Sequence, residues 1–282
     1  MTVRNQKELI ENSDWDYLLV LDACRFDFFK KVYPNYLEGK LQKVHSSASE
    51  TLGWAKKTFG DLKLRNTVYI SGNPRINSKV PVQGFEGKKH FYDIIDVWDW
   101  GWNKKYGTVT PAGMLDGLNK AEKDYPKKRK IIHFMQPHGP YFGEKAKEAR
   151  DMLRSRGFEF WSWNKEINKK DKENDDDILS HLLPAAQKGL IEKELFIEIY
   201  KENLAHVLEY VDKMTNEING KTIVTADHGE MLGEEKIFLP NNMGGMAGSI
   251  GHGYGIYVEE LRKVPWVILD CNERRKIIQE EN

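Results

Sequence analysis

The 282-residue chain carries 43 basic and 43 acidic side chains. It therefore has no net field to draw it to nucleic-acid polymers or anionic membranes, and its partner is expected to be a small molecule recognised locally. Hydrophobic residues at 40% and aromatic residues at 11% supply enough apolar surface for a sizeable core and exclude a disordered chain. The N-terminal stretch MTVRNQKELIENSDWDY lacks the apolar run of a secretory signal, and no segment approaches the ~20 apolar residues of a membrane span. A cytoplasmic location is the expectation. Two cysteines, Cys24 and Cys271, are too few for a disulfide framework and read as small buried hydrophobes.

In chain order, residues 17–22 (YLLVLD) form an apolar run that ends in a carboxylate, the pattern of a buried parallel strand opening into a loop. Segments 66–71 (NTVYIS), 130–134 (KIIHF) and 221–225 (KTIVT) repeat it, and 264–269 (VPWVIL) is a fifth candidate. Between them lie helical patterns. The clearest runs from Ile191 to Ile218, where Leu204, Val207, Leu208, Val211 and Met214 share one face. Alternating strands and helices predict one α/β domain over residues 1–282, with a mostly parallel sheet sandwiched by helices. Polar chemistry then gathers at the carboxyl ends of the strands, at Asp22, after Phe134 and after Thr225. Residues 72–113, with WDWGW at 98–102, and residues 154–180, with FEFWSW and the charge run KEINKKDKENDDD, read as inserted loops. The charge run is a solvated loop or a lid over the substrate, and WDWGW and Phe158–Trp163 are expected to shape access to the site.

The strongest local signal is Thr225-Ala226-Asp227-His228-Gly229-Glu230, a carboxylate and an imidazole just past an apolar strand, where the glycine permits a turn that aims both at one ion. Alone, this reads equally as a surface turn with an Asx cap, and Asp22 reads equally as a helix N-cap. Together, two aspartates and a histidine on one rim of one sheet form a metal-ligand set. The hydroxyl-rich turn His45-Ser46-Ser47-Ala48-Ser49-Glu50-Thr51-Leu52-Gly53-Trp54 leads into the helical stretch AKKTF. Its hydroxyls serve as caps, or as a nucleophile held where a helix N-terminus and a cation stabilise a phosphate.

LDACRFD, the hydroxyl turn some 25 residues later, PHGPY at 137–141, DHGE at 227–230 and GHGYGIYVEELRKVPWV at 251–267 stand in the order seen in the alkaline phosphatase superfamily, and the chain resembles its sulfatase-like branch over nearly its whole length. The resemblance implies metal ligands at Asp22, Asp227 and His228, and a nucleophile in the 47–51 turn that becomes phosphorylated while contacting the ion. Ser49 is the first choice because it stands four residues before Gly53, with Thr51 the alternative. His252 would bind a second metal or the substrate's anionic oxygens, His138 would contact the transferred group or the leaving oxygen, and Arg25 would either pair with the anion or brace Asp27.

Departures from the pattern refine this. No C/S-x-P-x-R motif occurs in residues 43–56, so formylglycine-dependent sulfate hydrolysis is not expected. Phe142 stands where two-metal relatives place a histidine, which leaves the second site incomplete unless His138 and His252 recruit an ion. One or two divalent ions per chain are expected, zinc or manganese before calcium or magnesium. His133 reads as a core histidine, and His90, His181 and His206 have no identifiable partner. The implied activity is hydrolysis of phosphate mono- or diesters. The alternatives are a phosphotransferase acting on a glycan or lipid alcohol, a sulfatase-like hydrolase, and a noncatalytic metal-binding domain.

Overall fold

The structure, a computed structural model, describes residues 3–158, 182–234 and 250–270. The charge run at 165–177, Trp161, Trp163, His181 and Cys271 lie outside these residues. In chain order the elements are β1 (Arg4–Asn5), α1 (Gln6–Asn12), β2 (Tyr17–Asp22), α2 (Phe26–Val32), β3 (Lys40–His45), α3 (Thr51–Phe59), β4 (Leu64–Ser71), β5 (Phe91–Asp96) and α4 (Val97–Trp100). They continue with β6 (Trp102–Asn103), β7 (Thr108–Val109), α5 (Pro111–Asp124), β8 (Arg129–Pro137), α6 (Glu144–Ser155), α7 (Leu183–Gln187) and α8 (Lys193–Glu217). The last are β9 (Lys221–Ala226), β10 (Met231–Leu232), β11 (Ile250–Gly251), α9 (Glu259–Arg262) and β12 (Lys263–Asp270).

Eight strands form one sheet in the order β1-β3-β12-β9-β2-β8-β4-β5. All neighbours pair parallel except β12, which runs antiparallel to both β3 and β9. β2 sits in the middle, and every residue of YLLVLD is buried. Each of its fully buried Leu and Val side chains contributes about 1.5–3 kcal/mol of transfer free energy. The five strands expected from their apolar runs are present. β3 (KLQKVH) escapes a reading by hydrophobicity because most of its residues are exposed or half-buried. β5 corrects the expectation of an irregular excursion over 72–113: FYDIID, interrupted by Asp93, pairs with β4 and forms the sheet edge.

Helices cover the sheet. On α8 the residues Leu204, Val207, Leu208, Val211 and Met214 are buried as their spacing requires. On α3, Trp54 and Phe59 pack edge-on to each other, Trp54 against His133, and Phe59 against Tyr69 and Phe91.

Register fixes where the chemistry stands. Leu21 pairs with Ala226 and Asp22 with Pro137, so Asp22, Asp227 and His138 leave three adjacent parallel strands at one rim. β3 points the same way as β9, since each is antiparallel to β12, and its carboxyl end delivers residues 46–51 to that rim too.

Candidate metal centre

Asp22 is not a helix cap. The N-cap of α2 is Arg25, and between them Ala23 adopts a positive φ of 59°, which turns the chain sharply. The amide of Ala23 donates to Asp227 Oδ1 (3.1 Å), and its carbonyl accepts from the Tyr200 hydroxyl (2.7 Å). The first strand end is thereby tied to the second. Asp227 Oδ1 also accepts the His228 amide (2.7 Å). Gly229 is needed for a different reason from the turn expected of it. Its φ is not left-handed, but its amide donates to Leu261 O (2.8 Å), and a Cβ there would lie 1.9 Å from Glu260 O.

The ligand atoms face one another inside the protein. His228 Nε2 is 3.5 Å from Asp22 Oδ1 and 3.4 Å from Asp227 Oδ2, and all three side chains are buried. His228 Nδ1 lies 2.7 Å from the Gly229 carbonyl, which can only accept, so the ring proton sits on Nδ1 and Nε2 presents a lone pair. Asp22 Oδ1 and Asp227 Oδ2 have no hydrogen-bond partner. Two buried carboxylates and an imidazole lone pair converging on one point fit a divalent cation. The backbone carbonyl behind the imidazole is a common outer support of a metal-bound histidine.

Electrostatics agree. Burial, then the neighbouring Asp227 charge, pushes the Asp22 carboxyl up to about 8. Burial also opposes ionisation of Asp227, but the rings of His228 and His133 outweigh it and hold that carboxyl well below the usual range. Burial pushes His228 down to about 4 and keeps it neutral. Asn73, at the end of β4, donates through Nδ2 to Asp22 Oδ2 (2.9 Å) and accepts the Arg75 amide on Oδ1 (3.0 Å).

A second group adjoins the first. His138, Glu230 and His252 also converge to within ligand distance, and the His228 and His252 rings are 4.3 Å apart. Glu230 is the residue that sequence reasoning missed. It follows the DHG motif directly and is wholly buried, with Oε1 accepting from His252 Nδ1 (2.9 Å) and Oε2 unpartnered. The signal was its place in DHGE. The gap expected from Phe142 is thus filled from another strand end. Burial opposes a charge on His252, but Glu230 raises it to about 9. Burial, then His252, lowers His138. The His138 amide donates to Asp22 O (3.1 Å), and Asn203 Nδ2 donates to the Pro137 carbonyl (2.9 Å).

The hydroxyl turn is pinned at its start. The Ser46 hydroxyl donates to the Asp227 carbonyl, and the Arg262 guanidinium donates to Ser46 O through Nε (2.9 Å) and Nη2 (2.6 Å). Glu50 is the N-cap of α3, and its carboxylate accepts the amides of Leu52 (2.8 Å) and Gly53. Thr51 is the first helical residue, and its Oγ1 lies 3.4 Å from His228 Nε2. Ser49 Oγ instead donates to the Gly253 carbonyl (2.8 Å). The turn thus brings Thr51, and not Ser49, into contact with the ligand set, because a two-residue step at the helix start reverses the side chain's direction.

Arg25 does not reach for an anion. Its guanidinium is buried and ion-paired with Asp27 (2.8 Å) and Glu234. Arg75 takes the open position, on a cleft of about 270 Å³ whose walls also include Glu50, Thr51, Gln83, His252 and Tyr254. The excursion after β4 therefore reaches the cleft through Arg75 and Gln83. Trp100 and Trp102 are exposed beyond β5 and are not part of its wall. His90 and His206 contact Phe85 and Phe142 away from the site.

No protein-family model matches the chain, and no curated sequence is similar to it. Its fold is similar to that of the integral membrane lipooligosaccharide phosphoethanolamine transferase A of Neisseria meningitidis, at 13% identity and a TM-score of 0.52 over 94% of this chain and 49% of that one. It is also similar to the C-terminal periplasmic domain of a phosphoethanolamine transferase from Campylobacter jejuni (12% identity, TM-score 0.50, 92% and 79% covered). A periplasmic domain of EptC from Escherichia coli in complex with zinc aligns at 12% identity and a TM-score of 0.52, with 95% and 75% covered. The chain spans about half the length of the Neisseria protein. At these identities the likeness is one of fold, a mostly parallel sheet flanked by helices as the sequence implies. Among the described residues no helix is long and apolar enough to cross a membrane. Two of the three similar structures are periplasmic domains, so the likeness lends no support to a cytoplasmic location.

Proposed function

We propose that this chain is a metal-dependent phosphoryl-transfer enzyme that hydrolyses phosphate esters through a covalent phosphothreonine at Thr51. The observation that carries the reading is the Thr51 hydroxyl, set 3.4 Å from His228 Nε2 beside the buried carboxylates of Asp22 and Asp227. Asp22, Asp227 and His228 would hold the ion, zinc or manganese by donor type, and His138, Glu230 and His252 form a candidate second set. A cation held there lowers the pKa of a neighbouring hydroxyl and offsets charge on the phosphoryl oxygens.

Thr51 gives up its hydroxyl proton to solvent, Oγ1 attacks phosphorus in line, the Oγ1–P bond forms, and the bond to the leaving oxygen breaks. Where the second set holds no ion, His252, raised to about 9 by Glu230 against the effect of burial, carries a proton at pH 7 and stands across the cleft to deliver it to the leaving alkoxide. His138, kept neutral by burial and by His252, then accepts a proton from the water that attacks the phosphothreonine; the Oγ1–P bond breaks as the new O–P bond forms, and Thr51 and His252 regain their protons from solvent. An acceptor alcohol in place of that water would make the enzyme a transferase. The phosphoethanolamine transferases of similar fold favour this second reading.

Thr51→Ala and Ser49→Ala, assayed on an aryl phosphate monoester and diester with acid-quench mapping of the intermediate, test the proposal. Loss of several orders of magnitude in kcat for Thr51→Ala, against less than about tenfold for Ser49→Ala, is expected. Phosphate mapped to Ser49 would move the nucleophile. Full turnover in both variants would leave a water as the attacker.

A further inference from the structure

The core side of the ligand set carries a polar arrangement unusual for the middle of an apolar strand. His133 lies within KIIHF on β8 and is completely buried between β2 and β4. Its Nδ1 is 2.7 Å from the hydroxyl of Tyr69, itself completely buried on β4. Its Nε2 is 3.6 Å from Asp227 Oδ2, and neither atom has another hydrogen-bond partner. Trp54, in the first turn of the helix that begins at Thr51, packs edge-on against the ring at 5.6 Å. Its indole N–H is engaged by Gln6 Oε1 (2.9 Å) and so does not compete.

Proton bookkeeping gives this group one consistent state. Among the described residues the Tyr69 hydroxyl has no other hydrogen-bond partner, so it donates to His133 Nδ1. A ring that accepts on Nδ1 carries its proton on Nε2, and that N–H points at the Asp227 oxygen that faces His228. A movement of a few tenths of an ångström brings 3.6 Å to ordinary hydrogen-bond length.

We infer that His133 is a positioning residue: locked by Tyr69 as its Nε2–H tautomer, it orients the Asp227 carboxylate toward the ion from behind. This rests on the reading of Asp227 as a metal ligand. It assigns a role to a histidine that would otherwise be filler in the core, where a leucine would cost less. Outer hydrogen bonds of this kind typically govern ten- to a hundredfold in metal affinity.

The test compares His133→Leu, His133→Gln and Tyr69→Phe with the unaltered protein. Zinc affinity is measured by competition with a chromophoric chelator, and the ring tautomer by nitrogen-15 NMR of the chelator-treated protein. His133→Leu is expected to weaken zinc binding ten- to a hundredfold without lowering the thermal midpoint of the zinc-free protein. His133→Gln, which keeps an N–H near the Nε2 position, should recover affinity to within about threefold. Tyr69→Phe should fall between them. Unchanged affinity in His133→Leu, or equal losses in the leucine and glutamine variants, would overturn the inference. So would a proton found on Nδ1, whatever the metal does. If the unaltered protein takes up no zinc while the proton is on Nε2, the ligand assignment fails, and the tie between His133 and Asp227 stands as a structural one.

Discussion

Replacing Asp22 by asparagine separates the charge of the site from its shape. The carboxyl, raised from 3.8 to about 8 by burial and Asp227, is harder to ionise folded than unfolded. Without metal, the stability of the native state is therefore fullest below about pH 4, declines as pH rises, and levels off above about 8. At about 1.4 kcal/mol per pKa unit, the carboxyl costs about 4 kcal/mol at pH 7 and about 6 kcal/mol at pH 9. Asparagine removes the ionisation and keeps the volume, and its amide oxygen can still accept from Asn73. Allowing for the desolvated amide, Asp22→Asn should stabilise the metal-free protein by ~2–4 kcal/mol at pH 8, or about 5–15 °C in Tm. With saturating zinc the order reverses, because the unaltered protein gains its binding free energy and the variant loses most of it. Thermal unfolding at pH 5, 7 and 9, with chelator and with zinc, reads all of this. A variant less stable than its parent in chelator at pH 8, or one that zinc stabilises equally, would refute the reasoning.

The same shift makes metal uptake a proton exchange. At pH 7 the folded, metal-free protein holds a proton on Asp22, so zinc binding should release about one, and affinity should rise with pH until about 8; calorimetry in buffers of different ionisation enthalpy measures both, and no release would contradict the assignment. Gly229→Ala forces a Cβ to within 1.9 Å of Glu260 O and should cost ~2–4 kcal/mol in urea unfolding, displacing His228 as it does so; a neutral effect would mean that α9 yields freely. Arg75→Ala should raise KM for a phosphate ester several-fold with kcat nearly unchanged, since Arg75 walls the cleft. Arg25→Ala should instead lower stability through the loss of its pairs with Asp27 and Glu234. Steady-state kinetics and melting curves separate the two, and the reverse pattern would return Arg25 to the substrate.

The sequence by itself determined the sheet's buried strands and the place of its chemistry. Apolar runs such as YLLVLD and KTIVT can be satisfied only where both faces are covered, and each stops at a polar residue that must stand at the rim. Asp22, Asp227 and His228 were legible for that reason. β3 and β5 were not, because a half-exposed strand such as KLQKVH or FYDIID carries little hydrophobic signal of its own and forms by pairing with a neighbour. Tertiary structure alone set the Thr51 hydroxyl beside His228 and turned that of Ser49 to the Gly253 carbonyl. It alone brought Glu230 to His138 and His252 across a separation of some 90 residues, and aimed His133 at Asp227 from an adjoining strand. Strand period and composition say which residues are buried or at a rim. Which lone pairs converge depends on register and on the direction of individual side chains, and those are fixed only when the strands pack.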